Sequence, residues 1–494
     1  MIRRKARTLF AVGLCIISAC GGSDVQQAND EQPESLAVVA TSDAESLAVE
    51  AREHRTNTLI AQVSVTADAA TDVLLHVASA DTDRRTLHSA RPGESHEFTV
   101  VGLRAETTYS FTATTPDGEV SDVGTFTSGP LPMLAPDVQV LQEAADSVDG
   151  ITIVARRDLG NGEFEEGPLY FGFDGDGFVT WYLPHEETAQ EGTLLRHVGD
   201  GLTLASVNGT HDVLTPDGHT LDSFGPFDSS WDLHHDFRVL DNGNGLTVGR
   251  ETRQIGGAEL VGDILREVDI GGNVIWEWAT FDHLDTTRVD HSRLTRTSEP
   301  NRFNWTHLNG TWVNEQQNEI LVSLRSQGWV VSIDRGSGDI NWIAGDRAGA
   351  SPSFDAPFLT LTSGTWFSGQ HAPQITADGN LLVFDNRAET GGPELESRAV
   401  MYEIDRDNLT ATQILEAGAG QFAMALGDVD ELPNGNILVV AGIGAERSTQ
   451  PGARITEIDS QGNTLWEVAT PGINTYRAER ISWAELDALA AIHN

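Results

Sequence analysis

Three histidines stand at comparable places in the chain. His235 lies eight residues before Gly243 of Asp241-Asn242-Gly243-Asn244, and His371 lies eight before Gly379 of Ala377-Asp378-Gly379-Asn380. His307, in Asn304-Trp305-Thr306-His307-Leu308-Asn309, precedes a longer turn over residues 313–318. Arg325 ends the next apolar run, so one hairpin carries an imidazole, the Asn309 amide and a guanidinium. Near neutral pH imidazole serves both as nucleophile and as proton carrier. Guanidinium groups hold oxyanions. Together these residue types point to acid–base or covalent chemistry on an anionic substrate. Three imidazoles also suit zinc or copper, but Arg325 among them opposes a cation.

Equal offsets in repeated units mean equivalent places in a fold, and the chain does repeat. A strand, an Asp/Gly turn and a strand often ending in Trp recur from Phe173-Asp174-Gly175, Pro216-Asp217-Gly218 and Val268-Asp269-Ile270 to Ile333-Asp334-Arg335, Ile404-Asp405-Arg406 and Ile458-Asp459-Ser460. Asp-Gly and Asn-Gly pairs supply the positive φ of tight hairpins. Six such units, each of four short strands, predict an all-β chain built as a six-bladed β-propeller over residues 133–494. Its innermost strands would bring His235, His307 and His371 together near the axis. Strand alternation points His234 away from His235. The equivalent place in the next blade is Gly427, whose missing side chain leaves room for a ligand. Trp276, Trp342 and Trp466 read as blade packing. Trp231, Trp305 and Trp366, nearer the histidines, either stack on an aryl ring or belong to the core. A helix is signalled only at the end, from Trp483 to Leu489.

Before the propeller, residues 55–128 alternate apolar and polar in short runs such as Ile60 to Val65 and Tyr109 to Ala113, and read as a small β-sandwich. The run Leu103 to Tyr109, followed by Gly124-Thr125-Phe126-Thr127, resembles the end of a fibronectin type III domain. Residues 1–19 have a basic start, a short apolar run and Ile17-Ser18-Ala19-Cys20, the pattern of a lipoprotein leader with lipid on Cys20. Residues 20–54 read as a disordered tether. The expected location is the cell envelope, lipid-anchored at the outer membrane, facing the periplasm or the surface.

Composition narrows the chemistry. Lys+Arg total 31 against 74 Asp+Glu, a formal charge of -43. Such a chain repels nucleic acid. Acidic excess suits a salt-rich medium, where self-repulsion is screened. A pocket for an anion must then carry its own arginines. Cys15, Cys20 and the single lysine, Lys5, all lie in the leader. The body therefore has no thiol nucleophile, no cysteine zinc site and no Schiff-base lysine.

His234-His235-Asp236 before Asn-Gly-Asn, Trp305-Thr306-His307-Leu308-Asn309, Arg325, Gln370-His371 and Tyr476-Arg477 together resemble the bacterial arylsulfotransferase family, aryl-sulfate sulfotransferases that use no nucleotide donor. The resemblance implies a sandwich followed by a six-bladed propeller. It implies transfer of a sulfuryl group from a phenolic sulfate to a phenol, in ping-pong order, through a sulfohistidine. It makes His371 the nucleophile, puts His235, His307, Asn309 and Arg325 around the sulfuryl group, sets Tyr476 at the rim, and calls for no cofactor or metal. Two features depart from the family: no cysteine pair lies near His371, and Ala372 stands where an acid often follows. A non-catalytic propeller binding a glycan or protein, or a sulfatase-like hydrolase using the same site, are the alternatives. The oligomeric state, a homodimer included, stays open.

Overall fold

A computed structural model describes residues 47–80, 85–133, 135–143, 149–156, 170–183, 196–198, 201–205, 209–289, 295–296, 301–388, 395–444 and 452–493. The leader, Cys20 and the tether up to residue 46 lie outside the described residues. The tether was expected to run to residue 54, but Leu47–Glu53 is a strand paired antiparallel with Ala61–Thr71. Leu47 is buried there, and Val49 and Ala51 pack on the same core. These small side chains are too few for the run to stand out from a polar tether.

Seven strands make the first two sheets. Leu47–Glu53, Ala61–Thr71 and Gly93–Val100 form one; Arg85–His88, Leu74–Ala78, Thr108–Thr114 and Gly124–Thr127 form the other. Alternation drives them together, since Val63, Val65, Leu75, Val77, Tyr109 and Phe111 all turn into one core.

Six further sheets follow among the described residues, antiparallel but for one parallel pair in the third and one in the fifth. The first and last borrow a strand from the other end of this region. Ala478–Ile481 pairs with Ile151–Ala155 in the first, and Gln139–Gln142 pairs with Thr464–Pro471 in the last. The strands that open the third to sixth sheets are Phe237–Val239, Leu308–Asn314, His371–Ile375 and Asp428–Glu431. They meet in cyclic order. Thr311 N donates to Asp236 Oδ2 at 2.8 Å, Asn309 Nδ2 to the Gln370 carbonyl at 2.8 Å, and Gln374 Nε2 to the Val429 carbonyl at 3.2 Å. Gly427 N then reaches the carbonyl of Tyr476, just before the strand that opens the first sheet, at 3.2 Å.

The repeated Asp turns lie at the far side of each sheet, between its third and fourth strands. Their carboxylates cap the turn: Asp269 Oδ1 accepts from Asn273 N at 2.9 Å, and Asp459 Oδ1 from Asn463 N at 2.8 Å. Tryptophans tie one sheet to the next turn. Trp181 Nε1 donates to the Pro216 carbonyl, Trp278 to Gly338, and Trp466 back to Gly175 in the first sheet. In the third sheet this role belongs to Trp278 rather than Trp276. The whole is an all-β, propeller-like arrangement. A short helix, Trp483–Ala490, ends it, with Ser482 and Glu485 forming a capping box.

Candidate active site

Each of the three histidines stands at the start of an opening strand, where the backbone kinks. His235 has φ 59°, His307 φ 50°, and Ala372, directly after His371, φ 47°. These left-handed residues break strand alternation and swing the imidazoles inward. His235 and His307 have ring centroids 4.9 Å apart. Tyr476 stands between His235, at 5.9 Å, and His371, at 5.7 Å.

His371 is buried, and Asn386 is a side-chain partner of its ring. The ring Nδ1 lies 2.6 Å from Asn386 Oδ1. The Asn386 amide is oriented by two carbonyls, since its Nδ2 donates to Ala423 O and Leu426 O, both at 2.8 Å. Its oxygen must therefore face the ring. Nδ1 carries the proton, and Nε2 keeps its lone pair.

His307 Nδ1 is 2.8 Å from the Asn304 side-chain amide, and Arg325 N donates to the His307 carbonyl at 3.1 Å. Burial, then the Arg325 charge, push the His307 pKa down to about 3. His307 is thus a neutral ring beside a guanidinium. Half-buried Arg325 also reaches the Met424 carbonyl through Nη2 at 3.3 Å.

His234 does not point away from His235. The left-handed φ of His235 folds the two rings together, and their Nδ1 atoms are 2.7 Å apart. His234 Nε2 lies 3.0 Å from Asp263 Oδ1, at hydrogen-bonding separation though off axis. The other Asp263 oxygen accepts from Thr306 Oγ1 at 2.5 Å and Leu308 N at 2.7 Å. Burial raises the Asp263 pKa, but His234, Thr306 and Leu308 outweigh it and hold the carboxyl below its usual range. Burial first, then the charges of His234 and His307, hold the His235 pKa well below its usual value.

Other expected site residues sit differently. Asn309 is fully buried, with Nδ2 on the Gln370 carbonyl. Tyr476 is not at a rim. It is 3% exposed, and its hydroxyl donates to the Asn309 carbonyl at 2.6 Å, which makes it an inner wall. Trp305 belongs to the core, stacked on Phe281 at 4.8 Å, with its indole N–H on the Arg288 carbonyl. Trp366 packs on Phe367 and Tyr402. Trp231 lies under the Arg266 guanidinium. Gly427 leaves no room for a ligand: a Cβ there would lie 2.2 Å from the Phe384 ring, which fills the space.

Asn386, Asn304 and Asp263 were not legible as site residues. Asp263 gave the one signal, a lone acid inside the apolar run Val261 to Leu265. Arg477 was noted only in its pair with Tyr476. Its guanidinium lies over the Tyr476 ring at 5.0 Å, and Nη2 reaches Asn309 O at 3.3 Å. Its Nε and Nη1 are buried without a hydrogen-bond partner among the described residues. The centre thus joins the imidazoles of His235, His307 and His371 to the guanidiniums of Arg325 and Arg477. Among the described residues no group of three His, Cys, Asp or Glu is placed to hold a metal ion.

Among solved structures the chain is similar to the periplasmic gluconolactonase PpgL of Pseudomonas aeruginosa, at 14% identity over 67% of this chain and 99% of that one, with a TM-score of 0.39. It is also similar to BamB of Moraxella catarrhalis, at 12% identity over 76% and 89% of the two chains, with a TM-score of 0.27. A putative 6-phosphogluconolactonase of Bacteroides uniformis matches at 9% identity over 83% and 100%, with a TM-score of 0.33. Scores this low carry no argument about fold or function. No curated protein matches the chain. The family model for arylsulfotransferase (ASST) matches residues 137–477, a span that holds every residue of the centre just described, and the chain belongs to that family.

Proposed function

We propose that the chain transfers a sulfuryl group from a phenolic sulfate ester to an acceptor phenol, in two half-reactions through a sulfohistidine at His371. In this reading the six sheets are blades of one propeller, the two sheets before them are a fibronectin III-like domain, and a lipid on Cys20 holds the chain at the cell envelope. The observation that carries the reaction is the Asn386 amide, oriented by the carbonyls of Ala423 and Leu426 so that His371 Nε2 has its lone pair.

The chemistry follows from that atom. Nε2 attacks sulfur, an N–S bond forms, and the S–O bond to the phenol breaks with its electron pair on the departing oxygen. The ring becomes cationic and keeps its Nδ1 proton. Asn386 is a neutral acceptor, so the proton stays on the ring and the N–S bond stays labile. Arg325 and the His307 ring stabilise the sulfuryl oxygens as charge redistributes. An acceptor phenol then attacks sulfur, and the N–S electron pair returns to His371. No metal or nucleotide takes part in this scheme.

The test is release of p-nitrophenol from p-nitrophenyl sulfate by the full chain, with and without phenol, beside His371→Ala. Release that rises with phenol, yields phenyl sulfate and falls by more than about a thousandfold in the variant supports the transfer. Acid-labile label from a ³⁵S-donor, lost in His371→Ala, identifies the intermediate. Release indifferent to phenol but dependent on His371 makes the chain a hydrolase. No release by folded protein with several donors leaves a binding propeller.

A further inference from the structure

We propose that Asp263, His234 and His235 form a proton relay that protonates the departing phenolate in one half-reaction and deprotonates the incoming phenol in the other. This rests on the transfer reading above. It gives work to two groups that the sulfuryl site does not otherwise use, one of them a fully buried carboxylate.

The geometry is a succession of three groups at contact distance, with the Asp263–His234 contact off the N–H axis. Asp263 Oδ1 is 3.0 Å from His234 Nε2, and His234 Nδ1 is 2.7 Å from His235 Nδ1. A 2.7 Å N···N contact between two rings must hold one proton, because two lone pairs or two N–H groups would repel at that distance. With its inner nitrogen committed, His235 has only Nε2 on its free edge, and its ring lies against His307 and Tyr476. The charges that bear most on His235 are those of His234, His307, Arg250 and His371, and Tyr476 lies against its ring. Asp236, next in the chain, is turned to Thr311 and Arg477. Asp263, behind His234, is the anion that balances a proton on the pair.

Two states differ by one proton. In the acid state His234 is an imidazolium, with Nε2–H toward the Asp263 carboxylate and Nδ1–H toward His235 Nδ1, and His235 carries its proton on Nε2. When the S–O bond breaks, His235 Nε2–H passes to the phenolate while His235 Nδ1 takes the proton of His234 Nδ1. Both rings are then neutral and His235 Nε2 has a lone pair. The incoming phenol gives its proton to that atom as its oxygen attacks sulfur, and the chain of transfers runs backward. One proton leaves and one returns per turnover. Because the extra proton rests on His234 against a carboxylate, the relay works although burial opposes a charge on His235 itself.

Phenols that differ in basicity test it, in the full chain. Phenyl sulfate expels a strongly basic phenolate and needs the proton; p-nitrophenyl sulfate expels a weakly basic one and needs it little. His234→Gln should lower turnover of phenyl sulfate by about 100-fold and the first-turnover burst from p-nitrophenyl sulfate by less than about threefold. Asp263→Asn, which keeps the size of the side chain that receives Thr306 and Leu308, should show the same split. Equal losses with both donors, or none, would overturn the relay and leave a structural role. ¹⁵N spectra of the histidines give a reading independent of turnover. A strongly deshielded N–H shared by two ring nitrogens is expected and should vanish in His234→Gln. Its absence from the unmodified protein overturns the relay. Its presence in a protein that transfers nothing would retire the transfer reading and the relay's catalytic role together.

Discussion

The third to sixth sheets each bend their backbone into the left-handed region at two ends, and the two ends do so with different residues. At the outer hairpins the residue is usually glycine, as at Gly272 and Gly462; the fifth sheet, with Leu409, is the exception. At the inner ends it is His235, His307, Ala372 and Leu426. An L-residue with a Cβ in that region costs about 1–2 kcal/mol. The outer turns avoid the cost because nothing depends on their side chains. The inner ends bear it, and there the kink turns imidazoles toward a common centre. Strain at three of these ends thus lies where the three rings meet.

Breaking the anchors of that centre gives the largest effects. Asn386→Leu removes the acceptor that fixes the His371 tautomer. Turnover should fall by about 100-fold with an unfolding midpoint close to that of the unmodified chain. A variant that keeps full turnover would show that the ring needs no orienting partner.

An unanchored histidine sharpens the contrast. His211 is buried on the Phe237 and Phe227 rings, and neither of its nitrogens has a hydrogen-bond partner among the described residues. Burial lowers its pKa to about 4, against the pull of the Asp236 charge. The folded value lies below the unfolded 6.5. Below pH 6.5 the unfolded chain therefore takes a proton that the folded chain refuses. Stability present above pH 6.5 is lost as pH falls toward 4, by about 3 kcal/mol for this group. His211→Phe should remove most of that loss. Urea unfolding at pH 7 and pH 4 reads it, and an unchanged drop in the variant would mean that His211 is not the group responsible.

The repeat was legible because its turns have a chemical signature. An Asp with Gly or Asn within the next three residues closes each of these hairpins, and the sequence spells it six times. The convergence of His235 and His371 was legible in a similar signal, an equal offset of eight from the Asn-Gly and Asp-Gly turns that follow their strands, whereas His307 precedes a longer turn. What was hidden depends on backbone conformation that no residue type announces. Alternation placed His234 opposite His235, and the left-handed φ of His235 reversed it. Tyr476 and Trp305 are aromatic residues beside the centre, and only packing decides that one walls it and the other fills the core. Asn386 and Asn304 are ordinary amides until the carbonyls and rings around them are in place.

The smallest test sets a glycine hairpin turn against an inner bend. Gly435, in the hairpin between Asp428–Glu431 and Ile437–Ala441, has φ 82° and open space where a Cβ would lie. Gly435→Ala therefore isolates the backbone cost and should lower stability by about 1 kcal/mol with turnover unchanged. Ala372→Gly makes the opposite change at an inner end. Relief of the φ 47° strain and the greater freedom of glycine in the unfolded chain nearly cancel, so stability should move by less than about 1 kcal/mol. Turnover should nevertheless fall, because a glycine after His371 no longer holds the ring against Asn386. Equal behaviour of the two variants, each changing stability alone, would mean that the inner bends are only turns.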